Sequence, residues 1–240
     1  METLIQLFIK KTLLANKKIK SYIQNKLNKS DFEDSNLIGA GGDKTKQIDI
    51  ITENIFIHYL IDFCDIISEE SGLIRSKKQL ISNAQIIIDP LDGSDNFLAS
   101  LPYYGTSVSL HIDNLPMAAI VYNLINNTYY YKTPYKTNLI KNNFLEPNIG
   151  IFERAYTRPD IVIKLQQLKL KFRSPGATAL SLANTHNYTF FLLAGKMREY
   201  DIDAGLYLTN DLYQYQNEHF LLVSKNIKTF ENIKEIIKGY

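Results

Sequence analysis

The stretch that decides the fold runs from residue 86 to residue 94 and reads Ile-Ile-Ile-Asp-Pro-Leu-Asp-Gly-Ser. Three consecutive isoleucines predict a short buried strand, which we expect to end at the Asp-Pro step because proline lacks a donor for the sheet. Asp89 and Asp92 stand three residues apart across a turn, where their carboxylates and the Leu91 carbonyl can converge on one point. Such hard oxygen atoms are the ligands that Mg²⁺ prefers. For this segment alone, an Asp-Gly turn with solvated acids is an equally good interpretation.

The glycine and serine that follow are typical of an anion-binding turn. Gly93 allows the backbone to approach a ligand closely, and the N–H groups around Gly93 and Ser94 can hold phosphate oxygens. The effect is strongest if a helix begins at this point. A cation and a phosphate group are therefore both compatible with the same short segment.

Charge is segregated along a chain whose formal net charge is only +2. Between residues 49 and 95 there are nine acidic residues against three basic ones, and several of the acids adjoin strongly apolar sequence. Acids beside buried strands are costly unless a cation or another partner compensates them, so this segment indicates a metal. The small net charge provides no bulk electrostatic reason to expect a nucleic acid or a membrane as partner.

Length and composition are those of an ordinary globular protein. The 240 residues suffice for one large domain or two small ones, and 45% are hydrophobic. The single cysteine, Cys64, excludes an intrachain disulfide and a Cys-rich zinc site, and its apolar surroundings predict a buried, inert thiol in a helix. No apolar run reaches the ~18 residues of a spanning helix, and lysines interrupt any signal-like core near the start. We therefore expect a soluble cytoplasmic protein.

Hydrophobic periodicity predicts a chain of mixed α and β structure. Helical spacing covers residues 4–27 and 48–66, and a Gly-rich loop is expected between them over 31–46. Residues 104–132 alternate with period two and carry turn signals, which predicts an antiparallel meander. Short strands and helices alternate from residue 149 onward.

Five short motifs occur in order between residues 48 and 205. They are Ile48–Glu53, with an aspartate followed four residues later by a glutamate, then Glu69-Glu70-Ser71, Asp89–Ser94, Arg173–Leu180 and Tyr200–Gly205. Together they resemble the motifs of the inositol monophosphatase and fructose-1,6-bisphosphatase superfamily, a group of Mg²⁺-dependent, lithium-sensitive phosphatases. The resemblance is strongest to compact archaeal-type members that act on both inositol phosphates and fructose 1,6-bisphosphate.

The last motif departs from the pattern of that family, which reads W-D-x-A-A-G. Tyr200 replaces the tryptophan and keeps a bulky aromatic ring, whereas Asp203 replaces the first alanine. Asp203 therefore adds a charge close in sequence to Asp201, and we expect such a charge to perturb metal affinity.

The resemblance implies an α+β fold, a layered αβαβα sandwich, and a site between two parts of the chain. Residues 1–140 would form an N-terminal α+β part with most metal-binding motifs, and residues 141–240 a C-terminal α/β part with the final metal aspartate and the substrate contacts. The boundary falls in the Asn- and Pro-containing segment 133–148.

The resemblance also implies a role for each matching residue. Asp49 and Ser94 would be catalytic and orient the attacking water. The implied Mg²⁺ ligands are Glu69, Asp89, the Leu91 carbonyl, Asp92 and Asp201. The implied substrate-binding residues are Asp92, Gly93, Ser94, Arg173, Thr178 and Arg198.

The implied activity is Mg²⁺-dependent hydrolysis of a small phosphomonoester, with inositol monophosphate or fructose 1,6-bisphosphate as substrate and a homodimer as the working state. Arg198 lies three residues before Asp201, and we expect it to grip the second phosphate of a bisphosphate. Structural roles for Arg173 and Arg198 are equally compatible with the sequence. Two other functions stay open: a 3′-phosphoadenosine 5′-phosphate phosphatase, and a non-catalytic relative that binds phosphate or a cation.

Overall fold

A computed structural model describes residues 1–139 and 148–240 of the chain. The helices in this part are α1 Glu2–Asn25, α2 Gln47–Leu60, α3 Ser94–Leu98, α4 Pro159–Gln167, α5 Thr178–Ala183, α6 Glu199–Leu208 and α7 Ile227–Ile237. The strands are β1 Asp34–Ile38, β2 Lys44–Lys46, β3 Asp65–Ser68, β4 Gly72–Ile74, β5 Ala84–Asp92, β6 Gly105–Ile112, β7 Leu115–Asn123, β8 Tyr129–Lys132, β9 Ile149–Glu153, β10 Lys171–Arg173, β11 Phe191–Ala194, β12 Tyr213–Gln216 and β13 Phe220–Ser224. Within these two ranges, no helix is both long and apolar enough to cross a membrane.

A six-stranded sheet with strand order β4-β3-β5-β6-β7-β8 forms the first half of the fold. The isoleucine run lies in the interior strand β5, which pairs in parallel with β3 and antiparallel with β6. Strands β6, β7 and β8 form the predicted antiparallel meander. Apolar residues of α1 and α2, including Phe8 and Phe56, pack with Ile86 and Ile88 in one core, so these helices cover one face of the sheet.

A five-stranded sheet with strand order β10-β9-β11-β13-β12 forms the second half. Helices α4 and α7 share a core with its outer face, through residues such as Leu165 and Ile233. Helices α5 and α6 lie between the two sheets, because Leu180 and Ala204 pack on β7 whereas Leu182 and Ile202 pack on β9, β11 and β13. The five layers confirm the predicted αβαβα sandwich.

Strands β9, β10 and β11 run parallel to one another, and their carboxyl ends therefore reach the same edge of the second sheet. In open α/β sheets, ligands bind in the crevice outside this edge. The residues that follow these three strands are consequently brought together although they are far apart in sequence.

Three local predictions outside the central motif were wrong. The second helix ends at Leu60 rather than near residue 66, because Asp65–Ser68 forms a strand that pairs with β5. Cys64 is buried as expected, but it lies in the loop before that strand and not in a helix. Two short strands, β1 and β2, form a hairpin within the segment predicted to be a loop.

The strand that carries the central motif also continues past Pro90 to Asp92. Its pairing with β6 is irregular between Asp89 and Asp92, and a proline is tolerated in a sheet at such a bulge because no ladder hydrogen bond is needed there. Asp89 and Asp92 therefore both lie in the bulged end of β5, whereas the sequence predicted that the strand would end between them.

The division at residue 140 stays a prediction, and residues 140–147 lie outside the described part of the chain. All strands of the six-stranded sheet come from residues before 133, and all strands of the five-stranded sheet come from residues after 148. The α5–α6 layer packs on both sheets, so the two halves share apolar contacts.

Candidate active site

A cavity of about 900 Å³ opens between the two halves of the fold. Its walls are the tip of the β1–β2 hairpin, the turn after β3, the end of β5 with the start of α3, and the residues after β9, β10 and β11. All five sequence motifs contribute residues to the wall of this cavity.

Three carboxylates from three different elements meet in this cavity. Glu69 follows β3, Asp89 lies in β5 and Asp201 lies in the first turn of α6, and one oxygen of each lies within 4.8 Å of the others. The parallel pairing of β3 with β5 brings Ser68 opposite Ile88, and the Glu69 N–H donates to the Ile88 carbonyl at 3.2 Å. The strand register therefore places Glu69 beside Asp89, and the docking of α6 adds Asp201. We call these residues the carboxylate trio.

Burial makes the charged forms of these acids costly. It raises the pKa of Glu69 to about 8 and that of Asp92 to about 7, and it holds the pKa of Asp89 well above its usual range. Repulsion between Glu69, Asp89 and Asp201 acts in the same direction. A divalent cation would reverse both effects, since it neutralises the charge and supplies the missing solvation. The donor set, all hard oxygen atoms, fits Mg²⁺.

Asp92 and Leu91 lie next to the carboxylate trio but make different contacts. Asp92 Oδ2 accepts a hydrogen bond from the Leu180 N–H at 2.9 Å, which ties β5 to α5 across the cavity. The Leu91 N–H donates to Asp89 Oδ1 at 2.9 Å and fixes the direction of that carboxylate. Both residues line the cavity, and their roles as ligands stay predictions.

Asp49 and Ser94 also line the cavity. Asp49 lies in the first turn of α2, where its carboxylate accepts the Lys46 N–H at 2.8 Å, and burial raises its pKa to about 7. Ser94 is the first residue of α3 and follows Gly93, whose φ is +85°. A side chain at Gly93 would lie 2.9 Å from Ala177 Cβ and 3.1 Å from the Tyr103 carbonyl, so glycine is needed there for contact with α5 as well as for φ.

Arg198 joins three acidic side chains. Its Nη1 contacts Asp43 at 2.6 Å and Glu69 at 2.8 Å, and its Nε and Nη2 donate to the Asp201 carboxylate at 3.1 and 3.2 Å. The hydrogen bonds to Asp43 and Asp201 occupy three of its five N–H groups, and the contact with Glu69 is a further ion pair. A grip on a second phosphate would therefore require some of these contacts to break.

The last two residues predicted to bind substrate are Thr178 and Arg173, and the structure brings only Thr178 to the cavity. Arg173 ends β10 with an exposed side chain whose Nη1 donates to the neighbouring Phe172 carbonyl at 2.8 Å, and it is not part of the cavity wall.

Asp203 does not face the carboxylate trio. Residues two apart in a helix point about 200° apart, so Asp203 lies on the opposite face of α6 from Asp201. Its carboxylate instead contacts Ser109 and His111 on β6. The charge of Asp203, which we expected to lie close to Asp201, is therefore directed away from Asp201.

Four cavity residues in the second half of the chain were not predicted from the sequence: Glu153, Arg154, Tyr156 and Lys196. Glu153 is buried and accepts the Gly176 N–H at 3.0 Å and the Ser181 hydroxyl at 2.6 Å, which orders the loop before α5. Arg154 donates to Asp201 at 3.2 Å and to the Lys196 carbonyl at 2.6 Å. None belongs to a motif, and the signal that could have found them is the alternation of short strands and helices after residue 149, a pattern typical of parallel strands whose carboxyl ends line a crevice.

Comparison with known proteins agrees with this geometry. The sequence model of the inositol monophosphatase family matches residues 1–211. A fructose-1,6-bisphosphatase of Pyrococcus furiosus is 27% identical over 155 residues, which cover 61% of this chain and 58% of that protein. A fructose-1,6-bisphosphatase/inositol-1-monophosphatase of Thermococcus kodakarensis is 28% identical over 180 residues, which cover 72% of this chain and 68% of that protein.

Among solved structures, the crystal structure of an inositol monophosphatase–fructose 1,6-bisphosphatase superposes with a TM-score of 0.79 at 20% sequence identity. The superposition covers 95% of this chain and 98% of the other. At this sequence identity the superposition shows a shared fold, and the superposed part spans nearly the whole length of both chains.

Proposed function

Because the chain belongs to the inositol monophosphatase family, we propose that it is a Mg²⁺-dependent phosphatase that hydrolyses a small sugar or inositol phosphate. The observation that carries the proposal is the carboxylate trio, three largely buried acids within 4.8 Å of one another in an open cavity. Arg198 and Arg154 offset part of the charge of Glu69 and Asp201, whereas Asp89 has no ion pair within the described residues, so the cluster stays costly without a further cation. A phosphate ester is also the kind of ligand for which a cation at this place is useful, since its own charge must be neutralised during reaction.

In this proposal Glu69, Asp89 and Asp201 hold Mg²⁺, with Asp92 and the Leu91 carbonyl as further ligands. The bound metal would supply positive charge that offsets the charge developing on the phosphoryl group. The protein contributes the fixed direction of its ligands: the Leu91 N–H orients Asp89, and Arg198 and Arg154 orient Asp201 from two sides.

Asp49 and Ser94 are the proposed catalytic residues. A pKa of about 7 suits a group that must accept a proton at neutral pH, and Asp49 has this value because it is buried. The Ser94 hydroxyl would hydrogen-bond the attacking water and hold it in line with phosphorus. Direct attack by water requires no covalent intermediate, so the cysteine and histidines of the chain need no role in the chemistry.

A substrate with a second anionic group is favoured by Lys196. Nine carboxylates line the cavity; of the five basic side chains there, Arg154 and Arg198 pair with these acids, and Lys46 pairs with Asp34 outside the cavity wall. Lys196 follows β11 at the mouth of the cavity, is exposed, and has no ion pair with an acid of the described residues. A second phosphate would find its counter-charge there, so we place fructose 1,6-bisphosphate beside inositol monophosphate as the leading substrates.

The nucleotide alternative has one observation in its favour. The Tyr156 side chain, on the same rim of the cavity, is 83% exposed and offers a free ring face on which a base can stack. We therefore keep 3′-phosphoadenosine 5′-phosphate as the second candidate. The non-catalytic alternative is disfavoured, because every acidic residue expected of the site lines the cavity.

The decisive experiment measures phosphate release from inositol 1-phosphate, fructose 1,6-bisphosphate and 3′-phosphoadenosine 5′-phosphate, each with Mg²⁺ and with EDTA. We expect Mg²⁺-dependent release from at least one of the first two. No release from any substrate at saturating Mg²⁺ would refute the proposal, and release from the nucleotide alone would favour the second candidate.

Three finer expectations stay predictions: inhibition by lithium, a homodimer as the working state, and a cytoplasmic location. Light scattering of the purified protein checks the second, with twice the chain mass of 27.6 kDa as the expected result. Fractionation of the source cells checks the third.

A further inference from the structure

Asp203 connects α6 to the six-stranded sheet on the side away from the cavity. Its Oδ2 accepts a hydrogen bond from the Ser109 hydroxyl and lies 2.7 Å from His111 Nε2. Ser109 and His111 stand two residues apart in β6 and therefore project from the same face of the sheet. We call Asp203, Ser109 and His111 the α6 clamp.

The α6 clamp begins two residues along the sheet from the carboxylate trio. Strand β6 pairs with β5, with Ser107 opposite Asp89 and Ser109 opposite Ile87. The clamp therefore attaches the helix that carries Asp201 to the neighbour of the strand that carries Asp89. Asp203 lies two positions after Asp201 in α6, a distance over which a helix is stiff.

Asp201 depends on this attachment more than the other two members of the trio do. Glu69 and Asp89 come from strands β3 and β5, whose hydrogen-bonded pairing fixes them relative to each other. Asp201 comes from the second half of the chain, and its position relative to them depends on how α6 docks on the first sheet. Arg198 bridges Asp201 to Glu69, and the apolar part of the docking is made by Ala204 and Leu208, which share a core with residues of β7.

The clamp is built to hold a fixed geometry. The His111 and Asp203 side chains are only 18% and 23% exposed, so their interaction is weakened by solvent far less than that of a surface pair. The hydrogen bond to Asp203 raises the pKa of His111, which favours a charged and therefore stronger pair. Ser109 and His111 both contact the same carboxylate oxygen, so the three residues do not form a nucleophile, base and acid in series.

We propose that the α6 clamp positions Asp201 for the divalent cation, and that Asp203 and His111 are thus positioning residues of the metal site. The inference rests on the proposed metal site. It assigns a purpose to the aspartate that stands where the resembled motif has alanine: the charge supports the metal ligand from behind instead of competing with it. Groups that hydrogen-bond metal ligands typically contribute 10- to 100-fold to metal affinity; the clamp acts on Asp201 through the helix backbone, so we expect the lower end of that range.

Calorimetric titration of Mg²⁺ into the metal-free protein tests this inference without relying on turnover. For Asp203→Ala and His111→Ala we expect the Mg²⁺ dissociation constant to rise about 10-fold, and for the double variant to rise no further, because either change alone opens the clamp. His111→Gln keeps a neutral donor and should stay within about threefold of the wild type. Asp203→Asn serves as a milder second variant if the alanine variant does not fold.

Asp160→Ala is the matched control. Asp160 pairs with Arg158 at 2.7 Å on α4, in an outer layer away from the cavity, so its loss should lower the unfolding temperature and leave Mg²⁺ binding unchanged. Wild-type Mg²⁺ affinity in a folded Asp203→Ala or Asp203→Asn protein of lowered stability would overturn the clamp and leave the proposed metal site intact. Absence of Mg²⁺ binding by the wild type would overturn the metal site, and the clamp with it.

Discussion

Asp89→Asn tests the carboxylate trio most directly, because it removes one charge and preserves the size of the side chain. Asp89 is 3% exposed, and one of its oxygens lies within 4.8 Å of one oxygen each of Glu69 and Asp201. Two unit charges about 4 Å apart interact by roughly 4 kcal/mol at an effective dielectric constant of about 20. Part of this is offset by changed solvation, so we expect kcat to fall by at least ~10²-fold. Asp92→Asn and Asp201→Asn should act in the same way.

The same substitution should stabilise the metal-free protein. In the absence of a cation, burial and repulsion by Glu69, Asp92 and Asp201 oppose ionisation of Asp89, and an amide removes both penalties. The Leu91 N–H keeps an oxygen acceptor. A gain of about 0.5–2 kcal/mol is the usual scale when a strained site is relieved. For a chain of this length that corresponds to a rise of roughly 2–4 °C in unfolding temperature per kcal/mol.

Thermal unfolding in EDTA and in Mg²⁺, together with phosphate release, measures both effects on one preparation. Mg²⁺ should raise the unfolding temperature of the wild type more than that of the variant. Asp65→Asn is the control, because Asp65 is paired with Arg75 at 2.6 Å and accepts the Ser76 N–H, so its loss should destabilise and leave turnover unchanged. Near-wild-type turnover of Asp89→Asn, or a less stable metal-free variant, would refute the reasoning.

Three further predictions follow from the site. The metal-free protein should lose stability as the pH rises from about 4 to about 8. Burial raises the pKa of Asp49 to about 7 and that of Glu69 to about 8. The folded state therefore holds more protons than the unfolded chain across that range, and a rise in pH favours unfolding. Unfolding temperatures in EDTA at pH 5 and pH 8 check this, and a higher value at pH 8 would contradict it. Lithium at tens of millimolar should inhibit turnover at saturating Mg²⁺, since Li⁺ resembles Mg²⁺ in size with half the charge; an unchanged rate would count against a family-like metal site. Lys196→Gln should raise the KM for fructose 1,6-bisphosphate about 10-fold, the scale of one charged hydrogen bond, and leave the KM for inositol 1-phosphate unchanged. Equal KM changes on the two substrates would exclude a second-phosphate contact at Lys196. By contrast, Arg198→Ala should lower kcat/KM on both substrates, because Arg198 contacts two of the metal carboxylates.

Most of the candidate site was predictable because its residues lie in short motifs whose chemistry is local. The spacing of Asp89, Asp92 and Gly93 requires only a strand end and a turn, and these residues line the cavity as the motif predicts. The family resemblance supplied Glu69 and Asp201, and both join Asp89 in one cluster. The layered αβαβα arrangement was also expected from the resemblance and is confirmed by the two sheets and three helical layers.

Predictions failed where a distant partner decided the local structure. Helical periodicity extends beyond Leu60, but residues 65–68 form a strand because β5 offers them hydrogen-bonded pairing. Pro90 is a reliable strand breaker in an even ladder, yet β5 continues through it because the pairing with β6 is already irregular there. Neither partner can be identified from the sequence near the residue concerned.

By itself the sequence determined which side chains are available to bind a metal and a phosphate, since residue type and short spacing are local properties. Only the tertiary structure decided which distant side chains share the cavity. Glu153, Arg154, Tyr156 and Lys196 meet there because strands β9 and β11 run parallel and end at one edge. Asp203 turns away from the metal site and toward His111 because α6 is held between two sheets, and a helix packed on both sides presents adjacent acids to opposite neighbours.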